Sequence, residues 1–123
     1  MNRMTDPAST TDLQAFKAVF FKALAHPVRI RILETLRGGE RSVQELQAAL
    51  GLDQAAVSQQ LAVLRARNIV SARKEGTTVR YAVRDALVGD LLDVARRVFN
   101  NQLVGTQRML RQLRRETRRA RGR

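Results

Sequence analysis

The chain has 123 residues, of which 44% are hydrophobic and 28% charged, and it contains no cysteine. This length predicts one domain with a modest core, and the missing thiols exclude disulfides and thiolate metal sites. Lys and Arg outnumber Asp and Glu by 23 to 11, and the net charge of +12 favours a polyanionic partner such as nucleic acid. The sequence has no apolar run typical of a secretory signal or a membrane span, so we expect a cytoplasmic protein without a membrane partner.

The first third of the chain predicts two helices. Residues 1–10 are polar and predict a disordered N-terminus. From Asp12 onwards the apolar residues recur at steps of three and four, the spacing of an amphipathic helix: Leu13, Phe16, Phe20 and Leu24. Proline lacks a backbone N–H and suits the first position of a helix, so His26-Pro27 ends this helix and begins the next. The second helix is expected to end at Gly38-Gly39. Its apolar residues are Val28, Ile32, Leu33 and Leu36.

Two short helices follow, with a tight turn between them. Ser42 and Glu45 have the spacing of a capping box, in which each side chain accepts a hydrogen bond from the other's backbone N–H. Gly51 can adopt the left-handed conformation that closes a helix, and Asp53 is a good N-cap for the next one. The expected apolar faces comprise Val43, Leu46 and Leu50 in one helix and Val57, Leu61 and Leu64 in the other.

After Asn68 the apolar residues alternate, which predicts a β-hairpin. Its strands are residues 69–74 and 78–84, and Glu75-Gly76-Thr77 forms the turn. Asp85 is then expected to cap a last long helix.

The last helix is predicted to continue towards Thr117 unless Gly105 divides it. The final sixteen residues hold eight arginines against Glu116 alone, which gives this segment a net charge of +7. We therefore expect residues 11–107 to form the folded domain and residues 108–123 to form a basic C-terminal extension.

Two short helices with a tight turn, followed by a basic hairpin, are the pattern of a winged helix-turn-helix. The expected fold is mainly α with a small β-hairpin, in the order four helices, two strands and one helix. In this motif the second of the two helices enters the DNA major groove, and its leading residues contact base edges. The predicted DNA-contacting residues are Gln54, Ala55, Ser58, Gln59 and Arg65 of that helix and Arg73, Lys74, Gly76 and Arg80 of the hairpin.

These residue types also have plainer explanations. Glutamine can form two hydrogen bonds with adenine, and alanine can contact a thymine methyl group, yet both are ordinary on a solvated helix face. A charged hairpin can serve only to prevent edge-to-edge aggregation. The combination of a short-turn partner helix before and a basic hairpin after favours DNA binding over these alternatives.

The segment from Phe21 to Val83 resembles the ArsR/SmtB family of prokaryotic repressors. The resemblance rests on the motifs LAHPVRIRIL, SVQEL, LGLDQAAVSQQLAVL and the hairpin ending in RYAV. It implies a homodimer joined through the first and last helices, which binds an imperfect palindrome in an operator and is released by an inducer of unknown identity. It also implies that the residues predicted to contact DNA, apart from Arg65, occupy recognition-helix and wing positions.

The metal-sensing sites of that family do not carry over. Ser42-Val43-Gln44 stands where metalloid-sensing members have a CVC-type motif, so the soft ligands are missing. The positions that hold ligands on the last helix of other members retain one ligand in four: Asp85, Leu87, Val98 and Asn101. We predict a structural role for His26, no metal site and no cofactor. A weak oxygen-rich site made by Asp90, Asp93 or Glu34 across a dimer stays open as an alternative.

The resulting prediction is a sequence-specific DNA-binding regulator, a repressor that acts as a homodimer on double-stranded DNA. Apolar residues on more than one side of the first and last helices favour a core shared between subunits over one within the chain. An enzyme is disfavoured, because the sequence has no glycine-rich phosphate loop and no nucleophile–histidine pair. Two alternatives are a nonspecific architectural DNA-binding protein, which the basic extension favours, and a protein adaptor without DNA affinity.

Overall fold

The computed structural model describes the backbone of residues 7–122 and the side chains of residues 11–122. In this part of the chain five helices and three strands follow one another: α1 (Pro7–Leu24), α2 (Pro27–Leu36), β1 (Arg41–Ser42), α3 (Val43–Leu50), α4 (Gln54–Ala66), β2 (Val70–Glu75), β3 (Thr78–Val83) and α5 (Leu87–Arg121). The chain divides into two compact units, of which the first ends at Gly89 and the second begins at Asp90.

Helix α1 begins at Pro7, before the Asp12 at which the apolar spacing starts. Polar residues can extend a helix once it has formed, so the apolar spacing indicates the packed part and not the true start. The prediction for residues 1–10 falls, for its first six residues, outside the described part. Among the described side chains of α1, the buried ones lie at its C-terminal end, at Ala23 and Leu24. Apolar side chains in the preceding turns are exposed: Leu13, Phe16, Val19 and Phe21.

The core of the first unit is formed by the predicted apolar faces of α2, α3 and α4. Its largest fully buried side chains are Ile32, Leu33, Leu46, Val57, Leu61, Leu64 and Val70. Burying an aliphatic side chain of this size stabilises a fold by about 1.5–3 kcal/mol. The helical spacing seen in the sequence therefore predicted correctly which side of each of these helices faces inwards.

Local hydrogen bonds fix the start of α3 and the tight turn between α3 and α4. Ser42 Oγ accepts from the Glu45 backbone N–H at 3.2 Å, and the Ser42 N–H donates to Glu45 Oε1 at 3.1 Å. Gly51 closes α3 with φ +68°, where a Cβ would be strained, and Asp53 Oδ1 accepts from the Ala56 N–H at 2.8 Å. The predicted capping box, glycine terminus and aspartate N-cap are thus all confirmed.

The single histidine caps α2. His26 Nδ1 accepts a hydrogen bond from the Val28 N–H at 3.1 Å, and Pro27 occupies the first turn, where a missing N–H has no cost. Arg29 of the same helix donates to the Ala23 carbonyl at 3.0 Å and so satisfies an acceptor at the end of α1. His26 therefore has the structural role that the sequence predicted.

The three strands form one antiparallel sheet in the order β1-β3-β2. The hairpin β2–β3 turns at Gly76, which has φ +63°, and its register pairs Arg73 with Arg80. The short strand β1 pairs Ser42 with Arg80 on the other side of β3. Strand β1 was not predicted, because two residues are too few for an alternating pattern to be recognised. This strand ties the hairpin to the start of α3.

Helix α5 starts where Asp85 was expected to cap it. Asp85 Oδ1 accepts from the Leu87 N–H at 2.9 Å, and the helix continues without a break through Gly105. Large apolar side chains lie exposed along its length: Leu87, Val94, Val98, Phe99, Leu103, Val104, Met109, Leu110 and Leu113. Neither α5 nor any other helix in the described residues combines the length and apolar character that crossing a bilayer requires.

Candidate nucleic-acid interface

The leading face of α4 is open to solvent. Val57 and Leu61 of this helix are 0% and 1% exposed and fix its rotation against the core. The residues predicted to contact bases point away from that core and are all exposed: Gln54, Ala55, Ser58 and Gln59. Nothing within the described subunit covers this face, and its amides and hydroxyl are the groups that can form hydrogen bonds with base edges.

Arg65 is exposed near the other end of α4. It lies eleven positions beyond Gln54, which corresponds to about 16 Å along the helix axis. The two side chains therefore cannot contact the same base pair. This distance suits a division in which the N-terminal residues of α4 contact bases and Arg65 contacts the phosphate backbone.

The two hairpin arginines are held in ion pairs. Arg73 donates to both carboxylate oxygens of Glu40, from Nη2 at 2.6 Å and from Nε at 3.2 Å. Arg80 donates from Nη1 to Glu45 Oε1 at 3.0 Å and from Nη2 to the Glu40 carbonyl at 3.1 Å. Glu75 approaches both guanidinium groups, at 3.5 Å from Arg73 and 3.6 Å from Arg80. We refer to these five residues as the hairpin ion cluster.

The charges of this cluster shift one another's ionisation. The hydrogen bond from Arg73 lowers the pKa of Glu40, with further lowering by the charges of Arg73 and Arg80. The pKa of Glu45 is lowered first by the Ser42 backbone N–H, then by the Ser42 side chain and by Arg80. The pKa of Arg73 is raised by its hydrogen bond to Glu40 and by that carboxylate's charge. Each shift favours the charged form of its group.

Lys74 and Gly76 have different surroundings from the two arginines. Lys74 is exposed, and its neighbour across the sheet is Val79. Because side chains alternate along a strand, Lys74 points to the face of the sheet opposite to Arg73. Gly76 lies exposed at the hairpin tip. Lys74 is therefore the hairpin cation on the side of the sheet away from the cluster carboxylates.

The two hairpin arginines were predicted as site residues, but the glutamates that bind them were not. Glu45 was recognised only as a member of the capping box, and Glu40 and Glu75 were not singled out. Glu40 precedes Arg73 by 33 residues, and Glu45 precedes Arg80 by 35. Only the register of the three-stranded sheet brings these groups together, so no local spacing signalled the cluster.

The described residues contain no group of three or more His, Cys, Asp or Glu side chains placed to hold a metal ion. Asp90 and Asp93 of α5 lie one turn apart, and the Asp93 carboxylate binds Arg96 at 3.2 Å. Glu34 is exposed on α2.

Comparisons with known proteins agree on one family of bacterial regulators. A family model for bacterial regulatory proteins of the arsR family matches residues 26–72. The HTH-type transcriptional regulator Rv0081 of Mycobacterium tuberculosis is 45% identical over 103 residues, which are 83% of this chain and 90% of that protein. The biofilm growth-associated repressor of Agrobacterium fabrum is 39% identical over 82 residues, 67% of this chain and 70% of that protein.

Comparison with solved structures leads to the same family. The crystal structure of Rv0081 superposes with a TM-score of 0.69 at 44% identity, covering 80% of this chain and 95% of that one. A homodimeric winged helix-turn-helix DNA-binding domain from Mycobacterium bovis superposes with a TM-score of 0.72 at 30% identity, covering 80% and 92%. The chain therefore belongs to the ArsR family of bacterial regulatory proteins and is a winged helix-turn-helix transcriptional regulator.

Proposed function

We propose that this regulator is a homodimeric repressor that binds a palindromic operator through the leading face of α4. The single observation that carries the proposal is the exposure of Gln54, Ala55, Ser58 and Gln59 on a helix whose opposite side is fixed in the core. The N-terminal residues of such a helix can contact base edges in the major groove. The proposed protein binds DNA in the bacterial cytoplasm and is not an enzyme.

The exposed apolar side chains of α1 and α5 support the dimer. Phe16 is 74% exposed, Leu103 is 64% exposed and Met109 is 72% exposed. Covering such surfaces with a second copy stabilises an assembly by about 25 cal/mol for each Å² of apolar area buried. The related Mycobacterium bovis domain is homodimeric. A twofold dimer would place two α4 helices about 34 Å apart, one turn of DNA.

Base contacts by α4 can be tested on duplexes selected by the purified protein from a random pool. We expect Gln54→Ala and Ser58→Ala to weaken binding to the selected duplex by about 1–3 kcal/mol each, because each removes hydrogen bonds to base edges. Binding to a scrambled duplex should hardly change, since phosphate contacts remain. Gln44→Ala, which removes an exposed glutamine of α3, is the matched control and should change neither affinity. Equal losses on both duplexes would contradict base contacts by α4.

A second candidate function is nonspecific DNA packaging, which the eight arginines in residues 108–123 favour. Like the repressor, such a protein would bind DNA with a strong dependence on salt. Footprinting separates the two functions: a protected palindrome supports the repressor, whereas uniform protection along the duplex supports packaging.

A further inference from the structure

We propose that the hairpin ion cluster positions the wing: Glu40 and Glu45 hold Arg73 and Arg80 so that the β2–β3 hairpin keeps a fixed orientation relative to α4 during operator binding. The proposal deepens the proposed function and rests on it. Glu40 is its main positioning residue, because its carboxylate or carbonyl contacts both arginines.

The register of the sheet places the two hairpin arginines side by side. Ser42, Arg80 and Arg73 form one row across β1, β3 and β2. Two like charges directly opposite each other on adjacent strands repel and destabilise the pair. Glu40, Glu45 and Glu75 surround this row, with Glu40 Oε2 lying 2.6 Å from Arg73 and 3.6 Å from Arg80. The carboxylates therefore convert a repulsive row into an attractive cluster.

The cluster connects the hairpin to the start of α3. The backbone link between the hairpin and the start of α3 consists of the two-residue strand β1. Glu45 extends this link, since one carboxylate oxygen accepts both from the Ser42 N–H that begins α3 and from Arg80 of the hairpin. Helix α4 packs against α3 and against β2. A hairpin held to the start of α3 therefore also has a defined position relative to α4.

The net charge of the cluster distinguishes a positioning role from a general charge effect. The cluster contains three carboxylates and two guanidinium groups, so its net charge is −1 in a protein of net charge +12. Carboxylates near DNA repel phosphates, so charge alone predicts that removing Glu40 strengthens binding to every duplex. A positioning role predicts weaker binding to the operator. The two explanations have opposite signs, which makes a decisive experiment possible.

The experiment compares Glu40→Gln with Glu34→Gln in the full chain. Both variants lose one negative charge, but Glu34 is exposed on α2 and lies outside the hairpin ion cluster. We expect Glu40→Gln to weaken binding to the selected duplex by about threefold to tenfold, because the loosened wing loses fixed contacts. Glu34→Gln should bind equally well or slightly more tightly. Amide hydrogen exchange at Gly76 and Thr77 should accelerate in Glu40→Gln alone.

A double-mutant cycle isolates the pair from general charge effects. The loss in the double variant Glu40→Gln/Arg73→Gln should be smaller than the product of the two single losses, because the pair is already broken after one change. A loss in the double variant equal to the product of the two single losses would overturn the proposal. A Glu40→Gln variant that binds DNA like Glu34→Gln would also overturn it. Either result leaves the repressor function intact if Gln54→Ala still weakens binding to the selected duplex and hardly changes binding to the scrambled one. Should Glu40→Gln fail to fold, the same cycle with Glu45→Gln and Arg80→Gln decides the question.

Discussion

Lys74 and Arg73 are neighbours in β2, but their positive charges have different surroundings. The Arg73 guanidinium donates to both oxygens of Glu40, so part of its charge is neutralised before any DNA arrives. Lys74 is exposed on the other face of the strand, away from the cluster carboxylates. At the scale of single residues, the number of cations in a hairpin overstates how strongly the hairpin can bind phosphates. For phosphate binding, the position of Lys74 away from these carboxylates is more important than the number of cations.

This difference predicts unequal effects on salt dependence. Lys74→Ala should weaken binding to selected and scrambled duplexes alike and reduce the slope of log affinity against log salt by about one, because one phosphate contact is lost. Arg80→Ala should change this slope less, since its guanidinium already lies 3.0 Å from Glu45. Binding titrations at four or more salt concentrations measure both slopes. Equal slope changes in the two variants would show that the ion pairs do not compete with phosphate.

At the scale of elements, Glu45 joins the start of α3 to the hairpin, and this makes the stability of that junction sensitive to acid. Its pKa is lowered in the folded protein by the Ser42 backbone N–H, the Ser42 side chain and Arg80. A carboxyl group whose pKa falls on folding stabilises the fold above its unfolded pKa, ordinarily 4.5, and loses that contribution as pH falls through the folded value.

We therefore expect the wild-type free energy of unfolding to decline below about pH 4.5 and Glu45→Gln to flatten this decline, because the variant has no carboxyl group to protonate. Denaturant titrations between pH 3 and pH 7 provide the measurement, with Glu34→Gln as the charge-matched control. An acid decline as steep in Glu45→Gln as in the wild type would assign the effect to other carboxyl groups.

The sequence predicted the elements that depend on local chemistry. The capping box at Ser42, the cap at Asp53 and the turn at Gly51 involve residues within a few positions of one another, so their spacing was sufficient. The core-facing sides of α2 to α4 followed from helical periodicity for the same reason. Strand β1 and the contacts of Arg80 with Glu40 and Glu45 depend on the sheet register, which joins residues 35 or more positions apart. Such long-range pairing leaves no periodic trace in a single sequence.

At the scale of the whole molecule, positive charge is concentrated at one end of the chain. The final sixteen residues carry a net charge of +7 out of +12. Within the described residues this segment continues α5 and is exposed throughout. The segment has the charge needed for phosphate contacts that do not depend on sequence.

Removing residues 108–123 tests this role and the proposed domain boundary together. We expect a truncated protein that still dimerises to bind selected and scrambled duplexes more weakly by similar factors, with a shallower dependence on salt, because it has lost eight arginines that can contact phosphates. Thermal unfolding shows whether residues 11–107 remain folded, and sedimentation shows whether they still dimerise. An unchanged salt dependence in a folded dimer would leave the arginines without a role in DNA binding.

The uncovered apolar side chains of α1 and α5 have a consequence for regulation. If monomers predominate at low abundance, the concentration of dimers rises with the square of the total concentration. Operator occupancy then climbs more steeply with synthesis of the protein than a one-to-one binder would allow. Gene dosage and turnover of the protein would thereby set a threshold for repression, even before any small molecule acts on it.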